Sequence, residues 1–258
     1  MKAAIIIPAR MGATRLPGKP LLAETGKPLI QHVYEQARRV ASADQVFVAT
    51  DDAGIRDAVL EFGGAAIMTG EADTGTARVA AAAADIDAEI IVNLQGDEPE
   101  IDPAHIDRLI ALQAATGAFA STLACPFPES AQSGSGSPDD PAAVKAILGD
   151  AIGTDAFWAR YFTRAVCAWP REKDGRITAP SKYFLHIGVY AFSRASLAAF
   201  TKAPAGALET SERLEQLRIL EMGEQIAVGI VSQAASGIDT PQDYERFVAR
   251  MRRGAAKQ

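Results

Sequence analysis

The chain is poor in cysteine, poor in aromatics and free of long apolar runs. Cys125 and Cys167 are its only two cysteines in 258 residues. They are far apart in sequence, which excludes a disulfide-stapled scaffold and suits free thiols in a reducing compartment. Histidine occurs only three times, and no Ser-His-Asp or Cys-His arrangement stands out, so covalent nucleophilic catalysis has no visible carrier. No apolar stretch approaches the roughly 18 residues that a membrane span needs, and the apolar start is too short for a signal-peptide core. The expected location is the cytoplasm, with no membrane partner. A net charge of −6 excludes a nucleic-acid coat. Both familiar phosphate loops are also missing. Lys19 after Gly18 is followed by Pro20 with no glycine five positions before Gly18, so there is no P-loop, and no G-x-G-x-x-G occurs.

What is present is a cationic loop on an acidic protein. Ala3–Ile7 is an apolar, β-branched run of the kind buried on both faces of a parallel sheet, and Pro8 is expected to end it. Arg10, Arg15 and Lys19 follow, interleaved with Gly12, Pro17 and Gly18. Arginine offers a planar fork to phosphate oxygens and lysine a mobile point charge, while glycine lets backbone approach a ligand. In open α/β sheets ligands bind at the carboxyl ends of strands. A solvated basic loop is the competing reading of the same residues.

Further strands are expected at Gln45–Thr50, Ala65–Thr69, Glu89–Leu94, Ala120–Ala124, Phe184–Phe192 and Ala227–Val231. Helical spacing marks Ile30–Ala41, Ala53–Phe62, Thr76–Ala84, His105–Ala115, Arg194–Phe200, Ser211–Met222 and Pro241–Arg252. Gly63-Gly64 signals a helix C-cap. This alternation predicts an α/β fold with a doubly wound, mostly parallel sheet. Ser130–Asp140 reads as a mobile loop, Ala156–Pro180 as irregular, and the basic tail 251–258 as a frayed helix end.

Two carboxylates complete the pattern. Asp97 follows Gly96 at the tip of the Glu89–Leu94 run, and Asp239 precedes a helix begun by Thr240-Pro241. Taken with phosphate oxygens and water, the pair makes an oxygen-rich set suited to Mg²⁺. Glu98 is a weaker candidate, because Pro99 turns the chain away. Ordinary helix capping is the alternative role for Asp239.

The loop at 8–21, VNLQGDEP at 92–99, Tyr161–Arg164, His186–Tyr190, Leu214–Arg218 and Gly237–Pro241 occur together and in this order. In them the chain resembles the sugar nucleotidyltransferases that activate acidic sugars with CTP, most closely the 3-deoxy-manno-octulosonate (Kdo) cytidylyltransferases. The resemblance spans essentially the whole chain. It implies a nucleotide-diphospho-sugar transferase-like fold with one nucleotidyltransferase domain over 1–258. Residues 165–215 would form a smaller lobe that contributes to the sugar pocket and to a homodimer contact. It also implies that Arg10, Arg15 and Lys19 hold the CTP triphosphate, with Pro8 and Ala9 near the cytosine, and that Arg10, Lys19, Asp97 and Asp239 are the catalytic set. Asp97 and Asp239 would bind Mg²⁺. Arg78, Gln95, Arg164, His186, Tyr190, Glu209, Glu212 and Gln216 would form the sugar pocket. The expected product is CMP-Kdo for lipopolysaccharide biosynthesis.

Bland readings stand beside these. His186 lies in an alternating apolar strand, and Glu212 and Gln216 could be surface positions of a helix whose Leu214, Leu217 and Leu220 are core. Before Arg78 the sequence reads Asp73-Thr74-Gly75-Thr76-Ala77, where the family more usually carries an acidic residue next to the arginine. Competing functions are a cytidylyltransferase for the 8-amino analogue of Kdo or for sialic acid, and a non-catalytic nucleotide-binding regulator.

Overall fold

The computed structural model describes residues 1–12, 15–171 and 174–255. Ala13 and Thr14 of the cationic loop, residues 172–173 of the middle section and residues 256–258 of the tail lie outside the described residues. The chain divides into two compact units, Met1–Asp107 with Ala235–Gln258, and Arg108–Ala234. The segment 165–215 lies wholly within the second.

In the first unit, β1 (Ala3–Ala9), β2 (Gln45–Thr50), β3 (Ala66–Met68) and β4 (Ile90–Asn93) form a parallel row in the order β3-β2-β1-β4. Residues Ala3 to Ile7 are completely buried, as a central parallel strand requires. Pro8 does not end β1. The strand continues to Ala9, with Pro8 opposite Ala49 and Ala9 opposite Thr50. The reason is geometric: the Ile6 carbonyl accepts from the Leu94 N–H at 3.2 Å, so Pro8, two residues on, faces that same side. There β4 has already ended at Asn93, and the missing N–H costs no ladder bond.

Helices α1 (Leu29–Ala37), α2 (Ala53–Glu61) and α3 (Gly75–Ala83) connect these strands. Asp52 caps α2 by accepting from the Ile55 N–H at 2.9 Å, and Thr74 caps α3 by accepting from the Ala77 N–H at 3.1 Å. Gly63, at φ +79°, closes α2 as expected. Helix α4 (Pro103–Thr116) runs from the first unit into the second, and α8 (Pro241–Ala255) returns the chain to the first. Among the described residues no helix is long and apolar enough to cross a membrane.

The second unit is mixed rather than mostly parallel. Strands β5 (Ala120–Pro126), β6 (Lys145–Ala151), β7 (Ala156–Thr163), β8 (Phe184–Ser193) and β9 (Ile226–Ile230) run in the order β8-β5-β9-β7-β6. Only β5 and β9 are parallel, and a Lys145–Leu185 pairing joins β6 to β8. β7 occupies ground expected to be irregular. Most of its residues are part-buried on both faces, so no apolar/polar alternation marks it in the sequence. The helix expected over Ser211–Met222 is two, α6 (Ala207–Glu212) and α7 (Gln216–Glu221), preceded by α5 (Arg194–Lys202). Arg213 breaks the run at φ +52°. Just before the break, Glu212 accepts from Thr163 Oγ1 at 2.7 Å and from the Arg164 N–H at 2.9 Å. Leu214 and Leu217 are buried as expected, while Leu220 is only part-buried and Ile219 takes its place in the core. Lys145 is fully buried with no carboxylate among the described residues at hydrogen-bond distance, and donates to the carbonyls of Asp140 at 3.0 Å and Arg164 at 2.6 Å. Burial pushes its pKa down.

Within this unit His186 packs edge-on against Phe162, with centroids 4.9 Å apart, and beside Tyr190 at 5.6 Å. Its Nε2 lies 3.0 Å from Thr122 Oγ1, which also sits 2.8 Å from the Val189 carbonyl and 3.1 Å from the Ile187 carbonyl. Carbonyls only accept, so the single hydroxyl proton goes to them and the imidazole Nε2–H donates. Burial pushes the His186 pKa from 6.5 to about 3. The unfolded chain therefore takes up a proton that the folded chain refuses. This contribution to stability is complete above the unfolded pKa and is lost as the pH falls from 6.5 toward about 3. Urea unfolding at roughly pH 7.5 and roughly pH 5 should show wild type losing more stability across the interval than His186→Asn. Equal losses would refute the neutral, buried imidazole.

Candidate active site

The carboxyl ends of the parallel strands in the first unit open onto a cleft of about 300 Å³. Beyond Ala9 the chain enters the cationic loop, which is pinned at Leu16. That side chain is buried in a small core with Leu29, Ile238, Tyr244 and Phe247. Gly18, at φ +66°, then starts a single 3-10 turn, Lys19–Leu21. The turn carries Lys19 inward, so that its side chain is only 15% exposed.

Lys19 is the hub of the site. Its Nζ donates to Asp97 Oδ2 at 2.8 Å and to the Ile238 carbonyl at 2.8 Å, and lies 3.8 Å from Asp239 Oδ1. Asp97 follows β4 through Gly96, whose position leaves no room for a side chain: a Cβ would stand 3.0 Å from the Pro8 carbonyl oxygen. The Ile238 N–H donates to the Asp97 carbonyl at 2.9 Å, bringing the segment after residue 237 beside Asp97. Asp239 does not cap α8. Thr240 and Asp243 cap it reciprocally, with Thr240 N–H donating to Asp243 Oδ2 at 2.9 Å and Asp243 N–H donating to Thr240 Oγ1 at 3.2 Å. The Asp239 carboxylate is thus left to face Lys19 and, at 3.1 Å, Arg15. This Arg15–Asp239 pair is largely exposed, so it contributes little stability and gives way readily to a competing anion.

Glu98 stands half-buried beside the pair, its Oε2 withdrawn from solvent. Desolvation first, then the negative charge of Asp97 and Asp239, raise its pKa from 4.5 to about 8, against a lowering by Lys19. Its Oε2 has no hydrogen-bond partner among the described residues. The two aspartates thus add negative charge that Lys19 partly offsets and that attracts a cation. A single ammonium already lies within 3.8 Å of both aspartates, so the set fits a Mg²⁺ ion that takes its remaining ligands from water and phosphate. Among the described residues no group of three His, Cys, Asp or Glu is gathered as a metal cage.

On the opposite wall, Thr74 and Gly75 open α3, and Gly75 lies so close to Pro8 that an added Cβ would meet its ring at 3.4 Å. Gln95 donates from Nε2 to Asn93 Oδ1 at 3.0 Å, and the fully buried Asn93 donates to Thr76 Oγ1 at 3.2 Å. This chain of amides leaves Gln95 Oε1 as an acceptor on the cleft floor. Arg78, buried, also lines the cleft. Asn93 has a signal in the sequence, a polar residue inside an apolar strand. Glu98, the weaker candidate on account of Pro99, stands beside the two aspartates, because Pro99 directs the backbone and leaves the Glu98 side chain free to turn inward.

Of the expected residues, Pro8, Ala9, Arg10, Arg15, Lys19, Arg78, Gln95, Asp97 and Asp239 are all brought to this one cleft. Arg164, His186, Tyr190, Glu209, Glu212 and Gln216 belong to the second unit. There Arg164 spends its guanidinium on the Glu212 carbonyl at 2.7 Å and the Pro141 carbonyl at 2.9 Å. Glu209 is buried against Arg218 at 2.5 Å, and the Arg218 guanidinium lies 4.5 Å from the Phe200 ring centroid. Tyr190 is half-buried, and desolvation of its hydroxyl pushes that pKa well up. Gln216 is buried rather than a surface position, and its Nε2 has no partner among the described residues.

The sequence profile of the cytidylyltransferase family matches residues 4–226. A 3-deoxy-manno-octulosonate cytidylyltransferase of Anaeromyxobacter dehalogenans is 46% identical over 257 residues, covering 98% of each chain. An 8-amino-3,8-dideoxy-manno-octulosonate cytidylyltransferase of Shewanella woodyi is 41% identical, covering 97% of this chain and 99% of its own. The solved structure of a CMP:2-keto-3-deoxy-manno-octonic acid synthetase complexed with CTP superimposes with a TM-score of 0.87 at 37% identity, covering 98% of this chain and all of the other. By cleft, profile and full-length likeness, this chain belongs to the cytidylyltransferase family.

Proposed function

We propose that the protein transfers CMP from CTP to the anomeric hydroxyl of Kdo, releasing pyrophosphate. The observation that carries this reading is the Lys19 ammonium held against Asp97 and Asp239 in a cleft that also presents Arg10 and Arg15. A binding module has no use for two carboxylates directed at the place where phosphate would lie. The full-length likeness to Kdo enzymes supports the choice of sugar. In the same reading the enzyme is a cytoplasmic homodimer that uses Mg²⁺ and supplies CMP-Kdo to lipopolysaccharide biosynthesis.

The chemistry is displacement at phosphorus. A bond forms from the sugar oxygen to the α-phosphorus, the bond to the bridging oxygen of the β-phosphate breaks, and the hydroxyl proton is released. Catalysis of this kind is positioning and charge neutralisation. Arg15 and Lys19 would exchange their carboxylate partners for phosphate oxygens, and Arg10 would add a further charge at the loop. Asp97 and Asp239, released from Lys19, would hold Mg²⁺, which supplies charge neutralisation at the phosphates and acidifies the attacking hydroxyl. Pro8 and Ala9 form the wall beside the base, and Gln95 and Arg78 face the sugar. Arg164, His186, Tyr190, Glu209, Glu212 and Gln216 remain the proposed sugar contacts of the second unit, with the Gln216 amide N–H, which has no partner among the described residues, the best placed to donate a new bond.

Pyrophosphate release should be measured with each of the four nucleoside triphosphates against Kdo, its 8-amino analogue and sialic acid. Turnover with CTP and Kdo well above every other combination is expected, and preference for another sugar would replace Kdo in the assignment. Lys19→Ala should lose about 2–4 kcal/mol of transition-state stabilisation, the order found when one charge-stabilising donor is removed. Wild-type turnover in that variant would release Lys19 from its role. Asp97→Asn should abolish Mg²⁺-dependent pyrophosphate release, and full activity would remove Asp97 as a metal ligand.

A further inference from the structure

Arg78 is the most deeply seated cation of the cleft, only 3% exposed, and it is gripped from behind. Its Nη2 donates to Asp51 Oδ2 at 2.7 Å and its Nη1 donates to Thr69 Oγ1 at 2.8 Å. Asp51 follows β2, Thr69 follows β3, and Arg78 lies in the first turn of α3, so the clamp is built from adjacent strand ends and the next helix. The two anchors are themselves fixed. Thr69 N–H donates to the Thr50 carbonyl at 2.8 Å, while Asp52 donates its N–H to Thr50 Oγ1 at 3.1 Å and caps α2. Neither Asp51 nor Thr69 lines the cleft itself.

We infer that Asp51 is a positioning residue of the transfer site: with Thr69 it locks the Arg78 guanidinium in one orientation, so that substrate meets a donor already aimed. The inference rests on the reading that this cleft takes CTP and Kdo. A guanidinium is a rigid plane, and two bonds at its outer nitrogens fix that plane. The rest of its five donors stay available for a ligand. A buried arginine without a carboxylate would also carry an uncompensated charge. The Arg78 hydrogen bond, then the charges of Arg78 and Arg10, hold the Asp51 carboxyl below its usual range. Asp51 therefore also offsets the repulsion between two cations that serve the same cleft. No local pattern marks this role, because Asp51 and Arg78 lie 27 residues apart in sequence.

The test is steady-state kinetics of Asp51→Asn and Asp51→Glu, each alone and with Arg78→Lys, varying CTP and Kdo in turn, with thermal melting alongside. Asp51→Asn should raise the KM of one substrate roughly ten-fold with little change in kcat, as expected when a binding group loses its aim. Asp51→Glu should recover part of that loss. In the Arg78→Lys background the same change should add less than about two-fold, because the interaction it removes is already gone. Unaltered KM values, a loss confined to melting temperature, or an equal effect in the Arg78→Lys background would each overturn the role. Should Asp51→Asn not fold, Thr69→Val removes the other anchor and must raise the same KM for the inference to stand. Guanidinium NMR reads the clamp without turnover. Separate, slowly exchanging Arg78 Nη signals are expected in wild type and averaged ones in Asp51→Asn, whereas averaged signals in wild type would overturn the clamp. An inactive wild type with slow Nη exchange would instead refute the proposed function and leave the clamp standing.

Discussion

The Lys19 ammonium joins segments that lie 78 and 219 residues from it in sequence, through Asp97 and the Ile238 carbonyl. Because the side chain is mostly withdrawn from water, its charge must be matched where it sits. That requirement fixes the inner end of the cationic loop, the tip of β4 and the approach to α8 in one arrangement. The ammonium's partners are the carboxylates of Asp97 and Asp239 and the Ile238 carbonyl.

The parallel row of the first unit makes the arrangement possible. Strands β1, β2, β3 and β4 all point the same way, so their carboxyl ends deliver Arg10, Asp51, Thr69 and Asp97 to one edge. Close packing then sharpens the geometry. Gly96 passes so close to the Pro8 carbonyl that an added Cβ would stand 3.0 Å from its oxygen, while Gly75 packs against the Pro8 ring at ordinary contact distance. Behind the lining side chains stands a second set, Asn93 beneath Gln95 and Asp51 beneath Arg78. The donors and acceptors facing the cleft are therefore held by partners that do not line it.

The second unit solves a different problem. Its mostly antiparallel row takes in polar groups, with Lys145 and Glu209 buried and His186 and Arg218 half-buried, and each is matched by a carbonyl, a hydroxyl or an opposite charge. The resemblance carried Arg164, Glu209 and Glu212 as a set of polar side chains, and the fold divides their duties. Glu209 neutralises Arg218, Glu212 stitches α6 to the end of β7, and Gln216 keeps a buried donor with no partner among the described residues.

Sequence alone determined the elements whose physics is local. The β-branched run of β1, the Gly63 cap, the glycine-spaced cations and the Gly-Asp tip after β4 each declare themselves within a few residues, and so did the candidates for the cleft. Tertiary structure decided everything that depends on partners distant in the chain. Pro8 stays within its strand because the neighbouring strand has already ended. Asp239 faces Lys19 and Arg15 because Asp243 does the capping. Helix α6 stops at Arg213, where Glu212 is engaged by Thr163 and Arg164, and Asp51 matters because Arg78 folds back onto it. A carboxylate looks the same in sequence whether it caps, pairs or waits for a metal, and only the position of the opposite charge in space tells these roles apart.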